Sequence, residues 1–350
     1  MNIVSLMSTG AAPGLALDLA MSAKARGLTF KLIITTENEL LYLIKLNLKS
    51  NEYEVVSIPK SVSILAMHYL SRGSLVRKKI EPHLMENEPI VFTMPGILEF
   101  LWMKDKKRKS KIFTVIHDPY RHRGDLMPRD FMINFFYKQS DRVIYFSEYT
   151  RNYLIDKYGM RPSLDIVATH PVSSVISRLS NTVQHNPDYI LLIGRNKSYQ
   201  NFEFIVKVWK EEQLHLQNVR LLIAGKNTQK FRDEASGVFV IDKWLDEIEF
   251  ANLIRSTKCL LLPYLEGSQS GPASLAVAMN KPIIYSRIES LDEQLSHYDK
   301  AESYEGKQEL IQLLNMAIRE ETMFNEDLSD WSESWAAILS FIESERRATH

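Results

Sequence analysis

The segment Leu262-Pro263-Tyr264-Leu265-Glu266-Gly267-Ser268-Gln269-Ser270-Gly271-Pro272-Ala273-Ser274 concentrates the residue types best suited to chemistry in this chain. An apolar run ends in Pro263, a Ser- and Gly-rich loop follows, and Pro272 sits where a helix would make its first turn. Such a turn aims the backbone N–H groups of Ser270 and Gly271 outward with the helix dipole behind them, which suits a phosphate. Ser270 equally suits the N-cap of a helix that binds nothing. Glu266, at the carboxyl end of the apolar run, can accept hydrogen bonds from sugar hydroxyls.

Two more apolar runs end in the same way. Ile193-Gly194-Arg195 is followed by Asn196-Lys197-Ser198-Tyr199-Gln200-Asn201, and Arg195 offers a planar fork that suits a diphosphate, with Lys197 as a second charge. Ala224-Gly225-Lys226 closes a third run, where Gly225 permits close approach of the backbone. Farther upstream Ile116 delivers His117-Asp118-Pro119-Tyr120-Arg121-His122-Arg123-Gly124-Asp125. That spacing fits no common metal site, so His117 reads as a hydrogen-bonding or acid/base group at a strand end. The first turn, Ser8-Thr9-Gly10-Ala11-Ala12-Pro13-Gly14, lacks GxGxxG and gives only a weak dinucleotide signal around Gly10.

These strand ends need elements to carry them. Short β-branched runs alternate with amphipathic stretches, the pattern of βαβ units and parallel sheets. In the first half the pattern predicts strands Ile3 to Met7, Phe30 to Thr35, Ile90 to Thr93, Lys111 to His117 and Arg142 to Phe146. The helices between them are expected at Gly14 to Arg26, near Ile64 to Ile80, and at Gly96 to Met103, Pro128 to Lys138 and Glu148 to Tyr158. Pro171 to Pro187 is polar and without period, so it reads as a linker. The pattern then restarts, with strands Tyr189 to Ile193, Val219 to Ala224, Val238 to Ile241, Cys259 to Leu262 and Pro282 to Tyr285. Helices are expected at Phe202 to Glu212, Asp246 to Ser256 and Pro272 to Met279, and the tail from Ser303 onward reads as helical. The expected architecture is α/β: two Rossmann-like doubly wound domains facing a cleft, over 1–170 and 188–330, joined by 171–187. A last segment, 331–350, is expected as a helix returning to the first domain. Ligands of open α/β sheets bind at the carboxyl ends of the strands.

Composition narrows the classes further. The 350 residues carry 43 Lys+Arg against 43 Asp+Glu and are 45% hydrophobic, which excludes a global nucleic-acid field and disorder alike. The single cysteine, Cys259, lies in an apolar run, so no internal disulfide and no cysteine-based zinc cluster can form. No signal-peptide pattern opens the chain and no run approaches the ~20 residues of a membrane span, so the expectation is a cytoplasmic protein whose bilayer contact would be peripheral. Leu98-Glu99-Phe100-Leu101-Trp102-Met103 runs into six basic residues between Lys104 and Lys111. This stretch reads equally as a solvated loop or as a rest for anionic lipid; the Phe- and Tyr-rich helix around Met127 to Lys138 could add apolar contact but reads better as a core face.

At these residues the sequence resembles the family 4 retaining glycosyltransferases of the GT-B fold, of the kind that builds bacterial polysaccharide such as O-antigen or exopolysaccharide. The likeness covers about residues 90 to 290 and is strongest in the second half. It is carried by Ile193-Gly194-Arg195 with Tyr199-Gln200-Asn201, Ile223-Ala224-Gly225, Lys243-Trp244, and Leu262-Pro263 through Glu266-Gly267 to Ala278-Met279-Asn280-Lys281-Pro282. In the first half His117-Asp118, Phe146-Ser147-Glu148 and Tyr158-Gly159 match family positions. The resemblance implies transfer of a sugar from a nucleotide-sugar donor, without cofactor or obligatory metal, to an acceptor expected to be a lipid-linked saccharide. On that likeness the catalytic residues are His117, Glu266 and Arg195. The donor-binding residues are Gly10, Lys197, Gln200, Gly225, Lys226, Lys243, Trp244, Ser270, Gly271 and Ser274. Arg195 and the amides at Ser270 and Gly271 would stabilise the leaving diphosphate, and Lys243 with Trp244 would meet the nucleobase. The sequence departs from the family pattern twice: Ser274 stands where a second glutamate is expected, and Gln200 where a lysine partners the arginine. The alternatives are a non-catalytic partner of another transferase and a nucleotide-sugar epimerase.

Overall fold

The computed structural model describes residues 1–58, 74–94, 96–103, 110–120, 129–161, 165–171, 176, 188–319 and 333–347. The chain divides into two compact units, one running to Pro171 and resuming at Ser332, the other over Val172–Trp331.

In the first unit the strands are β1 (Asn2–Ser5), β2 (Lys31–Thr35), β3 (Tyr53–Val56), β4 (Ile90–Phe92), β5 (Ile112–Ile116), β6 (Arg142–Tyr145) and β7 (Ile166–Val167). They form one sheet in the order β3-β2-β1-β4-β5-β6-β7, with every pair parallel. Its central strands are buried on both faces, which is why they read as unbroken apolar runs without alternation. The helices described in this unit are α1 (Ala11–Ala25), α2 (Leu41–Asn47), α3 (Ser74–Ile80), α4 (Ile97–Met103), α5 (Arg129–Gln139) and α6 (Glu148–Tyr158).

α1 begins three residues before its expected start. Pro13 falls in the first turn, where the missing N–H has no helical acceptor to lose. The helix ends in a Schellman pair, Gly27 N–H to Lys24 O (3.0 Å) and Leu28 N–H to Ala23 O (3.0 Å). α6 spans the predicted residues, capped by the Ser147 hydroxyl, which accepts from Thr150 N–H at 3.1 Å. Residues Leu98 to Met103 of α4 are all buried, stacked under Phe92 and Phe136, so this apolar stretch belongs to the core and is not a face for lipid. The basic residues 104–109, the early part of the expected Ile64 to Ile80 helix, His122 and most of Pro171 to Pro187 lie outside the described residues.

The second unit repeats the plan with β8 (Tyr189–Ile193), β9 (Arg220–Ala224), β10 (Val238–Ile241), β11 (Cys259–Leu262), β12 (Ile283–Ser286) and β13 (Ala301–Tyr304). Their order is β10-β9-β8-β11-β12-β13, again all parallel. The helices are α7 (Phe202–Glu211), α8 (Glu247–Arg255), α9 (Gly271–Ala278), α10 (Glu289–Leu295) and α11 (Lys307–Arg319). Cys259 is fully buried in β11, and burial pushes its thiol up. The tail was expected to be helical from Ser303. It keeps an edge strand to Tyr304 before α11 begins, because Ala301-Glu302-Ser303-Tyr304 completes the ladder beside β12.

The last described helix, α12 (Glu333–Arg347), belongs to the first unit. Trp335, Ile338, Leu339 and Ile342 are buried, and Phe341 meets Phe113 edge-on at 5.9 Å. Glu345 closes the contact with Lys111 (3.1 Å) and Arg142 (2.7 Å), and Arg346 pairs with Glu88 at 2.5 Å. Burial opposes ionisation of Glu345, but the two cations outweigh it and hold the carboxyl below its ordinary range.

Candidate active site

In a doubly wound sheet the crevice opens where the strand order reverses. In the second unit that point lies between β8 and β11. The loops leaving it are the two that stood out in the sequence, Gly194-Arg195 after β8 and Pro263 to Ser270 after β11. Their separation of about seventy residues hides a direct adjacency of strands.

Gly194 turns away from β8 with φ +149° and Gly225 from β9 with φ +134°, values that favour glycine. The two corners pack backbone to backbone, since a Cβ on Gly225 would strike the Gly194 carbonyl. Beyond the corners the loops are tied together. Asn196 Nδ2 donates to Asn227 O at 2.7 Å, and Asp242, after β10, accepts from the N–H groups of Asn227 (2.7 Å) and Gln229 (3.2 Å). The residues that follow the glycines, Arg195 and Lys226, are both exposed and form no hydrogen bond or ion pair with another described residue. Two such cations on adjacent, stiffly held strand ends give this edge the charge that suits an anion.

Gln200, expected among the donor-binding residues, is instead buried and faces inward. Its Oε1 accepts from Lys197 N–H at 3.1 Å, and its amide fills the space a Cβ on Gly194 would need. Lys243 is paired with Glu249 of α8, while its neighbour Trp244 is 48% exposed. Thus Lys243 has a carboxylate partner of its own, and Trp244 offers an open indole face.

The β11 loop is anchored from both sides. Leu265 N–H donates to Tyr199 O at 2.7 Å, Ser290 Oγ to Gly267 O at 2.7 Å, and Ser286 Oγ donates to Tyr264 O. Glu266 stands half-buried between these anchors. Tyr264 itself is buried, and burial raises its hydroxyl pKa against hydrogen bonds to Ser270 and Gln200.

α9 starts as expected with Ser270 as N-cap, its Oγ accepting from Ala273 N–H at 3.2 Å. The expected pair of outward amides is reduced to one, because Ser270 N–H donates to Gln294 Oε1 at 2.8 Å. The Gln294 amide returns to Ser270 O (3.0 Å) and to Ser274 Oγ (2.9 Å), so Ser274 is buried and engaged where a ribose ligand was expected. Gly271 N–H makes no hydrogen bond with a described residue. Gln294, on α10, was not anticipated. A lone glutamine in a seven-residue helix gives no sequence signal for a contact twenty residues upstream.

In the first unit His117 follows β5 and is buried. Its Nδ1 lies 3.0 Å from Asp118 Oδ1 and its Nε2 lies 3.1 Å from His170 Nε2. The Nδ1 of His170 donates to Pro171 O at 2.9 Å. The Phe146 ring stands edge-on to His117 and tilted against His170. His170 was missed because it stands between the end of the expected helix at Tyr158 and the stretch Pro171 to Pro187 that reads as a linker, beside a two-residue strand too short to show a pattern. Gly10 caps α1, and its N–H is held by Glu39 Oε1 at 2.7 Å, so this turn has no free amide at residue 10. Among the described residues no group of three or more His, Cys, Asp or Glu side chains could hold a metal ion. No helix among them is long and apolar enough to cross a membrane.

Comparison with solved structures identifies this architecture. One similar structure, the E. coli trehalose-6-phosphate protein bound with UDP-2-fluoro glucose, has TM-score 0.61 and 12% identity, with 98% of this chain and 95% of that chain covered. A TarM variant of S. aureus in complex with fondaparinux, alpha-GlcNAc-glycerol and UDP gives 0.69 at 9% identity, with 99% and 98% covered. The UDP-GlcNAc 2-epimerase of Methanocaldococcus jannaschii gives 0.63 at 13%, with 98% and 100% covered. The fold is GT-B. Within this GT-B chain residues 187–314 match the family model described as glycosyl transferases group 1. No curated protein matches the chain in sequence.

Proposed function

We propose that this GT-B protein is a retaining glycosyltransferase that moves a hexosyl group from a nucleotide-sugar donor to a lipid-linked saccharide in the synthesis of cell-surface polysaccharide, without a metal ion or other cofactor. The observation that carries the reading is the pair of free cations, Arg195 and Lys226, on glycine corners beside the switch point of a unit matching group 1 glycosyl transferases. In this reading Arg195 and Lys226 neutralise the departing diphosphate together with the Gly271 amide, a task a cation would otherwise perform. Lys226 supplies the charge that Gln200 lacks. Glu266 accepts hydrogen bonds from the donor sugar, Trp244 covers the base, and His117 is the first-unit residue that serves the reacting sugar. The proposed acceptor side includes an anionic membrane surface met by Lys104 to Lys111.

Calorimetric titration with UDP, GDP and their common sugars tests the donor part. One nucleotide sugar should bind in the micromolar range, and Arg195→Ala should lose it. An intact Arg195→Ala affinity would remove that residue from the site. Glu266→Ala should retain donor affinity within about tenfold and lose most transfer, since the lost contacts act on the reacting sugar. For the surface part, a variant with Lys106, Lys107, Arg108 and Lys109 changed to Glu should no longer sediment with anionic vesicles. Equal sedimentation of the two proteins would exclude that patch.

The epimerase among the structural neighbours keeps a second reading in view. It is separated from the first by incubating the nucleotide sugar without acceptor, where an epimerase would still change its substrate.

A further inference from the structure

Away from the carboxyl ends of its strands, the first unit holds a cavity of about 520 Å³ between the end of α5, the start of β6 and the turn after α6. Three cations line it, Lys138, Arg142 and Arg161, with Asp141 as the lining carboxylate. Tyr137 adds an aromatic wall: its hydroxyl donates to Gly159 O at 2.8 Å, and the Arg161 guanidinium lies over its ring, 5.4 Å from the centroid. Arg161 is held by Ser140 O (2.6 Å) and Asp165 (3.0 Å), and Asp141 Oδ2 is engaged by the Ile112 N–H at 2.8 Å. These contacts fix the frame before any ligand arrives. The other two cations are less fully used. Lys138 is exposed and makes no hydrogen bond or ion pair with another described residue. Arg142 directs Nη1 to Asp141 O (2.9 Å) and Nη2 to Glu345 (2.7 Å), but its Nε is buried and has no acceptor among the described residues. Glu345 also serves Lys111 at 3.1 Å, so one carboxylate answers two cations. A buried donor without an acceptor is costly, and an oxyanion supplies the acceptor together with the opposite charge.

We propose that this cavity binds the phosphate group of an organic phosphate monoester, held by Lys138 and Arg142 on the frame that Arg161 and Tyr137 build. A phosphate suits these donors because its terminal oxygens accept from several N–H groups at once and it carries about two negative charges at neutral pH. Inorganic phosphate fills only part of the volume, which leaves the space beside Tyr137 and Met160 for the group that the phosphate is attached to. The monoester comes from one of two sources, a soluble sugar phosphate or a lipid headgroup, and the phosphate chemistry is common to both. The site is separate from the edge at Arg195 and Lys226 in the second unit, and it does not depend on the donor reading.

The test follows the methyl signal of Met160, an exposed residue of the cavity wall, in full-length protein with 13C-methyl methionine, the signal being assigned by its loss in Met160→Leu. Inorganic phosphate, glucose-6-phosphate and short-chain phosphatidic acid are each titrated, with sodium chloride at matched ionic strength as the blank. The signal should shift saturably with glucose-6-phosphate or with phosphatidic acid, with a dissociation constant below about 1 mM, and the tighter of the two names the source. Lys138→Ala should weaken that binding about tenfold and Lys138→Glu should abolish it; the side chain is at the surface, so both variants should fold. Arg195→Ala should bind the same probe unchanged, and a loss there would move the binding to the diphosphate edge and overturn the proposal. No saturable shift beyond the blank, a shift with inorganic phosphate alone, or an equal shift in Lys138→Glu would each overturn it as well. Calorimetry of Lys138→Glu with the nucleotide sugar reports separately on the enzymatic reading, so either can fail without the other.

Discussion

Gly225 has no freedom to become anything larger. At φ +134° a side chain is strained before packing is considered, and its Cβ would enter the Gly194 carbonyl. Gly225→Ala should cost about 2–3 kcal/mol, read as a lower urea midpoint, and should weaken diphosphate binding by displacing Arg195. Lys226→Ala touches none of these backbone contacts. It should leave the urea midpoint unchanged and reduce affinity for the diphosphate alone by about tenfold, measured by calorimetry. At this scale the sequence was legible wherever a residue's chemistry needs no partner. Arg195, Lys226 and Gly225 could be singled out from type and position at a strand end. Gln200 and Ser274 could not be read in this way, because their polar groups are satisfied by Lys197 and Gln294, and contacts of that kind depend on how loops close.

α9 and α10 show what an element does for the site. The Ser270 hydroxyl caps α9 from within the chain, while Gln294 reaches from α10 to the Ser270 N–H, the Ser270 carbonyl and the Ser274 hydroxyl. Ser270→Ala removes a cap and should cost about 1 kcal/mol. Gln294→Leu takes the acceptor from the buried Ser270 N–H and removes the donor shared by the Ser270 carbonyl and the Ser274 hydroxyl, so it should cost more, about 2–3 kcal/mol. Thermal or urea unfolding of the two variants checks the ranking, and equal losses would mean that the glutamine is dispensable to the loop. The strands and helices with strong pattern were legible here: β8, β10, β11 and α6 fall on the residues predicted. The missed elements were α2, β3, β7, α10 and β13. The strands among them are short or polar edge strands such as Ala301-Glu302-Ser303-Tyr304, whose strand character comes from the neighbour they pair with. Strand order was not legible either, although it decides that the β8 and β11 loops adjoin.

At the scale of the molecule, acid should find His170. The unfolded chain binds a proton near the ordinary value of 6.5, whereas the folded ring resists until about 3. The unfolded state therefore holds more protons between these values, and stability falls as pH drops through that window. The loss from this residue is on the order of 5 kcal/mol, and His170→Asn should be spared it. Urea midpoints of the two proteins should therefore diverge on acidification, and parallel curves would deny His170 this role. α12 closes the first unit in a comparable way. Glu345→Ala leaves Lys111 and Arg142 half-buried without their anion and should cost about 1–3 kcal/mol, measured by unfolding. Cys259 carries a different consequence. The chain's single thiol is sealed in β11, and its burial suppresses the thiolate that reagents require. A cysteine introduced at exposed Leu46 and another at exposed Leu216 can therefore be tagged with the native residue left in place. Dyes or spin labels at those points would form a ruler spanning the two units, ready to record any change in their separation when a nucleotide sugar is added.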